Sequence, residues 1–339
     1  MNANKYRKIL PFMRLLFFMG LVPFFSSCEK VIDFDPGETT PYVVMKSRPT
    51  NDSLVSVYLS RSTFFLEDDY YDYGSYAGSI PYITDASVRL YVGSEYYDGT
   101  LLQDGDRKYY QFNVRPKVGD SLHVEATVPG YDVKVTAGTR IPSMPVVEIV
   151  DYEVEQDEYG SSPRFRLRFK IKSGSGREYY SLSLDRSTQK TQMDSVTWIW
   201  DTAGQQRVQC YFMTDDAIFS NTDIGTVIDG DDGSLYGTEM SCSNELFSNG
   251  EHLFVVEFGM DMHSYVGDDV SDMPVWLTVR SLSPELYKYN QTMQAQAEAE
   301  ELLAEPVQVI CNVSGGIGVF GGMSQKEKRL PVARKKTQQ

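Results

Sequence analysis

The side chains best suited to metal binding or acid–base catalysis are three histidines, and the sequence keeps them apart. His123 alternates with apolar neighbours and should face outward from a strand. His252 and His263 flank a predicted strand of about ten residues, which separates them by roughly 30 Å. That separation is too large for a shared metal within the segment. The sequence also holds no serine-hydrolase, zinc-protease or phosphate-loop motif. We therefore predict a protein that is not an enzyme and that uses no metal or cofactor.

Carboxylates suggest a second chemistry in residues 214–249, a long segment rich in Gly and Asp. Its sequence DGDDG at 229–233 does not fit a calcium loop, because Ser234 stands where the sixth-position glycine is needed. A hydrolase of glycan or peptide would need two carboxylates facing each other, about 5–10 Å apart. The sequence cannot place these acids, so a surface hydrolase remains an alternative function.

The thiol of Cys28 lies in a sequence typical of lipid attachment. It follows a basic N-terminal region and an apolar run, Leu15–Phe25, that as a helix would reach only about 16 Å. Such a run is too short to span a bilayer and is typical of a secretion signal. Ser26, Ser27 and Cys28 resemble a bacterial lipobox, in which the cysteine sulfur receives a diacylglyceryl group. We predict a signal peptide over residues 1–27 and a lipid anchor at Cys28, with an ordinary cleaved signal peptide as the alternative.

Three further cysteines, Cys210, Cys242 and Cys311, cannot form a complete disulfide framework because their number is odd. One bridge between Cys210 and Cys242 is compatible with an oxidising compartment. Three buried free thiols are equally compatible with the sequence, so both interpretations stay open.

Acidic residues dominate the rest of the chain. The sequence carries 47 Asp and Glu against 32 Lys and Arg, a net charge of −15. Residues 1–27 contain four of the cations and none of the acids, so the mature chain would carry −19. This charge argues against a nucleic acid partner and against a body that lies flat on anionic lipid.

Short runs of Tyr and β-branched residues, separated by Gly, Asp, Asn and Pro, predict an all-β protein. We expect an acidic tether over residues 28–40 and an Ig-like or transthyretin-like β-sandwich over 41–140. Prolines at 142 and 145 predict a stiff link between domains. A second β-sandwich is predicted over 146–322, and the polar tail over 323–339 is predicted to be disordered.

Local signals add detail to both sandwiches. Asp98-Gly99 and Asp104-Gly105 each predict a hairpin turn. Near the C-terminus, a serine cap, Pro284 and apolar residues at spacings of three and four predict one helix over 284–304. Short strands are expected to follow at Val307–Cys311 and Ile317–Phe320.

Residues 163–172 show the clearest alternation in the chain, with apolar residues on one face and five cations on the other. The cations are Arg164, Arg166, Arg168, Lys170 and Lys172. One interpretation is an anion-binding or partner-docking stripe. The alternative is a solvated strand face neutralised by acids of the preceding strand, namely Glu153, Glu155, Asp157 and Glu158.

Residues 64–82 break the strand pattern and hold seven aromatic side chains interleaved with acids. Gly74 and Gly78 disfavour a helix there, so we predict a loop. Exposed tyrosines give a large contact area at low entropic cost, which favours a recognition loop. The alternative is a loop that folds its aromatic residues onto the edge of the sandwich. The candidate partner-binding residues are Phe64, Phe65, Tyr70, Tyr71, Tyr73 and Tyr76.

The two ends of the mature chain resemble those of a known family. Residues 281–322 read SLSPELYKYNQTMQAQAEAEELLAEPVQVICNVSGGIGVFGG, and residues 28–35 read CEKVIDFD. Both resemble the Bacteroidota lipoprotein family catalogued as domain of unknown function 4249. The resemblance implies an outer-membrane lipoprotein with β-sandwich domains, lipidated at Cys28. It also implies a role near nutrient uptake, because family genes commonly lie beside those for TonB-dependent receptors. No catalytic residue carries over.

Taken together, the residues and the resemblance predict a lipid-anchored envelope protein that acts as a non-enzymatic binding or accessory component. The expected partners are the outer membrane, through lipid at Cys28, and a TonB-dependent transporter. We expect the body to face the cell surface, with a periplasm-facing body as the alternative. A structural or adhesive surface module is a further alternative function.

Overall fold

The computed structural model describes residues 41–62, 80–155, 163–193, 200–220, 227–228, 235–259, 270–301 and 305–335. All of these belong to one compact unit, Pro41–Gln339. The predicted signal peptide, Cys28 and the predicted tether lie outside the described residues.

The N-terminal half forms a sandwich of two sheets that bury alternate apolar side chains. The strands are β1 (Val43–Ser47), β2 (Val55–Arg61), β3 (Ser87–Val92), β4 (Glu95–Asp98), β5 (Thr100–Asp104), β6 (Arg107–Phe112), β7 (Ser121–Thr127) and β8 (Val135–Arg140), joined by β19 (Ile317–Phe320) from the C-terminal region. The sheets run in the orders β19-β1-β2-β6-β5 and β4-β3-β7-β8, and their facing sides share one apolar core around Met45, Leu90 and Phe112.

The C-terminal half forms a second sandwich. Its strands are β9 (Val146–Glu155), β10 (Arg164–Lys172), β11 (Tyr179–Met193), β12 (Trp200–Cys210), β13 (Phe212–Thr214), β14 (Val227–Ile228), β15 (Leu235–Gly237), β16 (Glu239–Ser243), β17 (Glu251–Gly259), β18 (Val275–Leu282), β20 (Met323–Arg329) and β21 (Arg334–Lys335). The sheets run β14-β15-β13-β17-β10-β9-β21 and β12-β11-β18-β20, with β16 also paired to β11. The core between them includes Phe165, Phe169 and Phe254, which are fully buried.

Helix α1 (Ala217–Ser220) is a single turn, and α2 (Pro284–Glu301) is the long helix of the described chain. Ser283 accepts a hydrogen bond from the Leu286 amide and so caps α2, as the sequence predicts. The buried face of α2 packs on the outside of the β11–β18 pair, where the Tyr287 and Tyr179 rings stack at 4.3 Å. The prediction of an all-β protein with one helix near the C-terminus is confirmed, although residues 302–304 lie outside the described part of the chain.

The C-terminal region joins the two sandwiches instead of belonging to the second alone. β19 pairs in parallel with β1 of the first sandwich, and after only Gly321 and Gly322 the chain continues as β20 in the second. The Gly321 amide donates to the Ser47 carbonyl, and the Gly322 amide donates to the Thr139 hydroxyl. The predicted range 146–322 therefore does not describe one sandwich, because sequence order gives no sign that residues 317–320 return to β1.

The prediction of a disordered tail over 323–339 is wrong for its described part. β20 pairs with β18 over seven residues, and β21 pairs in parallel with β9. Between them, Leu330 and Ala333 are buried in the second core. The tail is polar because β20 covers the edge of a sheet and buries only one of its seven residues, Ser324, so hydrophobic periodicity does not reveal it.

Of three local predictions, one hairpin turn is confirmed, and the other hairpin turn and one strand are corrected. Asp104-Gly105 forms the predicted hairpin between β5 and β6. At Asp98-Gly99, by contrast, the chain crosses from one sheet of the first sandwich to the other, and Gly99 packs directly over Phe112. Residues 307–311 form no strand, because they run beside α2, where the Val307 and Ile310 amides donate to side chains of the helix.

Candidate partner-binding surface

The six aromatic residues predicted to bind a partner, Phe64, Phe65, Tyr70, Tyr71, Tyr73 and Tyr76, lie outside the described residues. The points where this segment leaves and rejoins the sandwich are described. Arg61 donates its amide to the Pro81 carbonyl at 3.0 Å, and Ile83 donates to the Leu59 carbonyl at 2.9 Å. Both ends of the segment are therefore held on β2.

The start of the described chain lies at the same place. The Ser62 amide donates to the Tyr42 carbonyl at 2.9 Å, and the Tyr42 amide donates to the Ser62 hydroxyl at 2.9 Å. The Tyr131 hydroxyl also donates to the Pro41 carbonyl at 2.8 Å. The chain thus enters the first sandwich within hydrogen-bond distance of the residue that precedes the aromatic segment.

This region lies at the end of the first sandwich that is remote from the second. β1 begins opposite Arg61 and ends opposite Phe320, next to the glycines that lead into the second sandwich. A strand of five residues separates the two ends by about 17 Å. We call the remote end, made by Pro41, Tyr42, Ser62 and Ile80, the distal end.

Apolar side chains are exposed at the distal end and along the adjoining sheet edge. Tyr42 is 64% exposed and Ile80 is 55% exposed. All five residues of the edge strand β5 are exposed, including Leu101 and Leu102.

The cationic stripe of β10 is neutralised from both sides. Its apolar face is buried and its charged face lies between β9 and β17. The ion pairs are Arg168–Asp151 at 2.8 Å, Lys172–Glu148 at 3.0 Å, Lys170–Glu251 at 2.7 Å and Arg166–Glu257 at 3.6 Å. A hydrogen bond from Arg168 lowers the pKa of Asp151, and one from Lys170 lowers the pKa of Glu251. These contacts favour the neutralised-face interpretation, but the four acids in these pairs, from β9 and β17, are not the ones that the sequence assigned to this role. Of the assigned acids, Glu153 pairs with Arg334, and residues 157 and 158 lie outside the described part of the chain.

Residues 214–249, proposed to hold hydrolase carboxylates, are described except for 221–226 and 229–234. Among the described acids, Asp216 contacts His252 at 2.7 Å and accepts the Ile218 amide at 3.1 Å. Glu239 and Glu245 pair with arginines. The contacts of Asp216 fix α1 against β17. Sequence analysis missed this pair, because residues 36 apart carry no local signal.

The cysteines of the second sandwich are free. Cys210 lies opposite Leu184 and Cys242 lies opposite Tyr180, four residues apart along β11. That offset is about 13 Å, beyond the reach of a disulfide. Burial raises the pKa of Cys210 to about 12 and raises that of Cys242 further. Neither is a reactive thiol, whereas Cys311 is exposed.

Two further structural properties concern the described residues alone. None of their helices is both long and apolar enough to cross a bilayer. The same residues contain no group of three or more His, Cys, Asp or Glu side chains arranged to hold a metal ion.

The described residues form an all-β protein of two joined sandwiches with one long helix near the C-terminus. Residues 29–329 match the family model described as Domain of unknown function (DUF4249), and the chain belongs to that family. No curated protein matches the chain.

Two solved structures resemble the chain faintly. One is described as the complete structure of manganese lipoxygenase of Gaeumannomyces graminis and partial structure of zonadhesin of Komagataella pastoris. It is 11% identical at a TM-score of 0.14, over 72% of this chain and 90% of that one. Another, a biofilm associated protein BSP domain, is 7% identical at a TM-score of 0.16, over 89% of this chain and 61% of that one. TM-scores this low support no conclusion about fold or function.

Proposed function

We propose that this protein is a Bacteroidota outer-membrane lipoprotein that is anchored through Cys28 and binds a membrane-embedded partner without catalysing a reaction. The partner class we propose is a TonB-dependent transporter. The body faces the cell surface, and the aromatic segment is the main contact.

The observation that carries this proposal is the position of the distal end. Of the first described residues, Tyr42 is hydrogen-bonded to Ser62, two residues before the aromatic segment, and Pro41 accepts a hydrogen bond from Tyr131. A chain held by lipid at Cys28 would reach the body at this point. Thirteen residues span at most about 45 Å when fully extended, so the distal end would lie within about 45 Å of the lipid anchor.

The surface chemistry of the distal end suits a protein partner. Tyr42 and Ile80 are exposed there, and the segment that leaves from it mixes tyrosines with acids. Tyrosines supply contact area and a hydroxyl at low entropic cost, and carboxylates supply pairing for basic groups on a partner. The net charge of −15 disfavours direct adsorption to anionic lipid.

Co-purification from solubilised outer membranes tests the proposal. Replacing Tyr70, Tyr71, Tyr73 and Tyr76 together by Ser should abolish recovery of a membrane-embedded partner and leave membrane retention unchanged. The control is Tyr96→Ser with Tyr211→Ser, since both tyrosines are 58% exposed and lie away from the distal end. The control protein should recover the partner like wild type.

The anchor is tested separately by Cys28→Ala. The wild-type mature protein should carry acyl mass at its first residue, and the variant should leave the membrane fraction. A mature protein without acyl mass, or a quadruple variant that keeps its partner, would refute the corresponding part of the proposal.

A further inference from the structure

A cleft of about 440 Å³ lies where the two sandwiches and α2 meet. Its walls come from the loop before β7, the end of β8, the link 141–143, the start of β11 and the start of α2. The apolar lining residues are Val118, Ile141, Pro142, Tyr179, Leu282 and Pro284. Sites for small molecules favour such junctions and typically have volumes of about 300–1,000 Å³.

The polar groups of the cleft are few and mostly cationic. Arg140 lines it from β8 and Arg177 from the turn before β11. Glu178 is the acid of the lining, and its carboxylate oxygens already accept hydrogen bonds from the Tyr180 hydroxyl, the Gly174 amide and the Ser143 hydroxyl. Arg177 is paired with Glu245, outside the cleft lining.

Arg140 has donor capacity to spare. Its Nε donates to the Gly119 carbonyl at 3.0 Å, which fixes the guanidinium at the cleft wall. The terminal nitrogens have no hydrogen-bond partner among the described residues. A planar guanidinium with free terminal N–H groups matches a carboxylate or phosphate geometrically.

We propose that this cleft binds an amphipathic organic anion, with an apolar body against the apolar walls and one carboxylate or phosphate group on Arg140. The overall charge of the protein repels anions, so anion preference at this position would come from the local arginines. The site lies at the junction of the sandwiches, away from the distal end, and its existence does not depend on the proposed function.

A matched pair of probes separates the two parts of the proposal. 1-Naphthylacetate carries an apolar ring system and one carboxylate, and 1-naphthylacetamide has nearly the same shape without the charge. Each is titrated calorimetrically into the detergent-solubilised full chain, with a detergent blank. We expect one site per chain and at least about tenfold tighter binding of the acid, the usual margin for one charge-assisted contact.

Variants then locate the site. Arg140→Met should weaken binding of the acid to the level of the amide and leave the amide unchanged, whereas Arg140→Lys should keep part of the preference. Val118→Trp, which enlarges a side chain of the cleft lining, should weaken binding of both probes. The control is Arg107→Met, at an exposed arginine beside the β5–β6 turn, and it should change the affinity for neither probe. Equal affinities for acid and amide, no binding of either probe, or an Arg140→Met variant that keeps the preference would overturn the proposal.

Discussion

Gly318 is the position where a single methyl group should most clearly test how the two sandwiches are joined. It lies in β19, opposite Met45 of β1, with a φ of 114° that L side chains rarely adopt. A Cβ at this position would lie 2.1 Å from the Met45 carbonyl oxygen and 3.0 Å from its carbonyl carbon. The contacted atoms belong to the backbone of Met45, which is buried. The clash therefore cannot be relieved by a change of side-chain rotamer.

The expected cost of Gly318→Ala follows from two effects. A non-glycine residue in this region of φ costs about 1–3 kcal/mol, and forcing an extra carbon into a packed interior typically costs about 1–3 kcal/mol more. We therefore expect the free energy of unfolding to fall by about 2–6 kcal/mol. With a urea m-value of about 3 kcal/mol/M, the unfolding midpoint would fall by about 0.7–2 M.

Urea unfolding followed by circular dichroism and tryptophan fluorescence measures this change. Gly176→Ala is the matched control, because nothing lies within 4 Å of a Cβ there and its φ is not positive. The control should unfold within about 0.5 kcal/mol of wild type. A Gly318→Ala protein that unfolds like the control would refute the close packing of β19 on β1.

Three further predictions concern the C-terminal region, the ion pairs and the thiols. Leu330→Ala should lower the free energy of unfolding by about 2–4 kcal/mol, because Leu330 is buried in the second core; a disordered tail would give no change in urea unfolding. Arg168 lowers the pKa of Asp151 in the folded state. The stabilisation that the Arg168–Asp151 pair gives the fold is therefore fully present above the unfolded pKa of Asp, about 3.9, and is lost as the pH falls through the lower folded pKa. Asp151→Asn should therefore lower stability at pH 7 and flatten its decline below about pH 4, measured by urea unfolding across pH; an unchanged acid limb would contradict the pair. Cys311, which is exposed, should react rapidly with a thiol reagent in the native protein, whereas Cys210, with a pKa raised to about 12, should react only after unfolding; Cys311→Ser should remove the fast phase, and a fast phase that persists would contradict this assignment.

The sequence reveals elements whose packing is local. The alternation in β10 predicts both its buried face and its charged face, because a strand with one buried side repeats every two residues. The start of α2 can also be predicted from sequence, because the capping residue and the first-turn residues that it contacts lie within four positions of each other. These signals need no knowledge of the partner element.

Elements defined by distant partners could not be read in this way. β20 is polar because it covers a sheet edge, so nothing in its composition distinguishes it from a disordered tail. The closeness of Tyr42, Ser62 and Ile80 depends on the pairing of β1 with β2 and on the return of the chain at Pro81. The cleft at Arg140 forms from four segments that are far apart in sequence, so no local motif predicts it.

Site-specific photo-crosslinking in outer membranes tests the central proposal most directly. A photoreactive residue at Ile80, which is 55% exposed at the distal end, is compared with one at Val332, which is 64% exposed in the second sandwich. The proposal predicts a discrete adduct with a membrane-embedded protein from position 80 and none from position 332. Adducts of equal yield from both positions, or an adduct from position 332 alone, would contradict a partner that docks at the distal end.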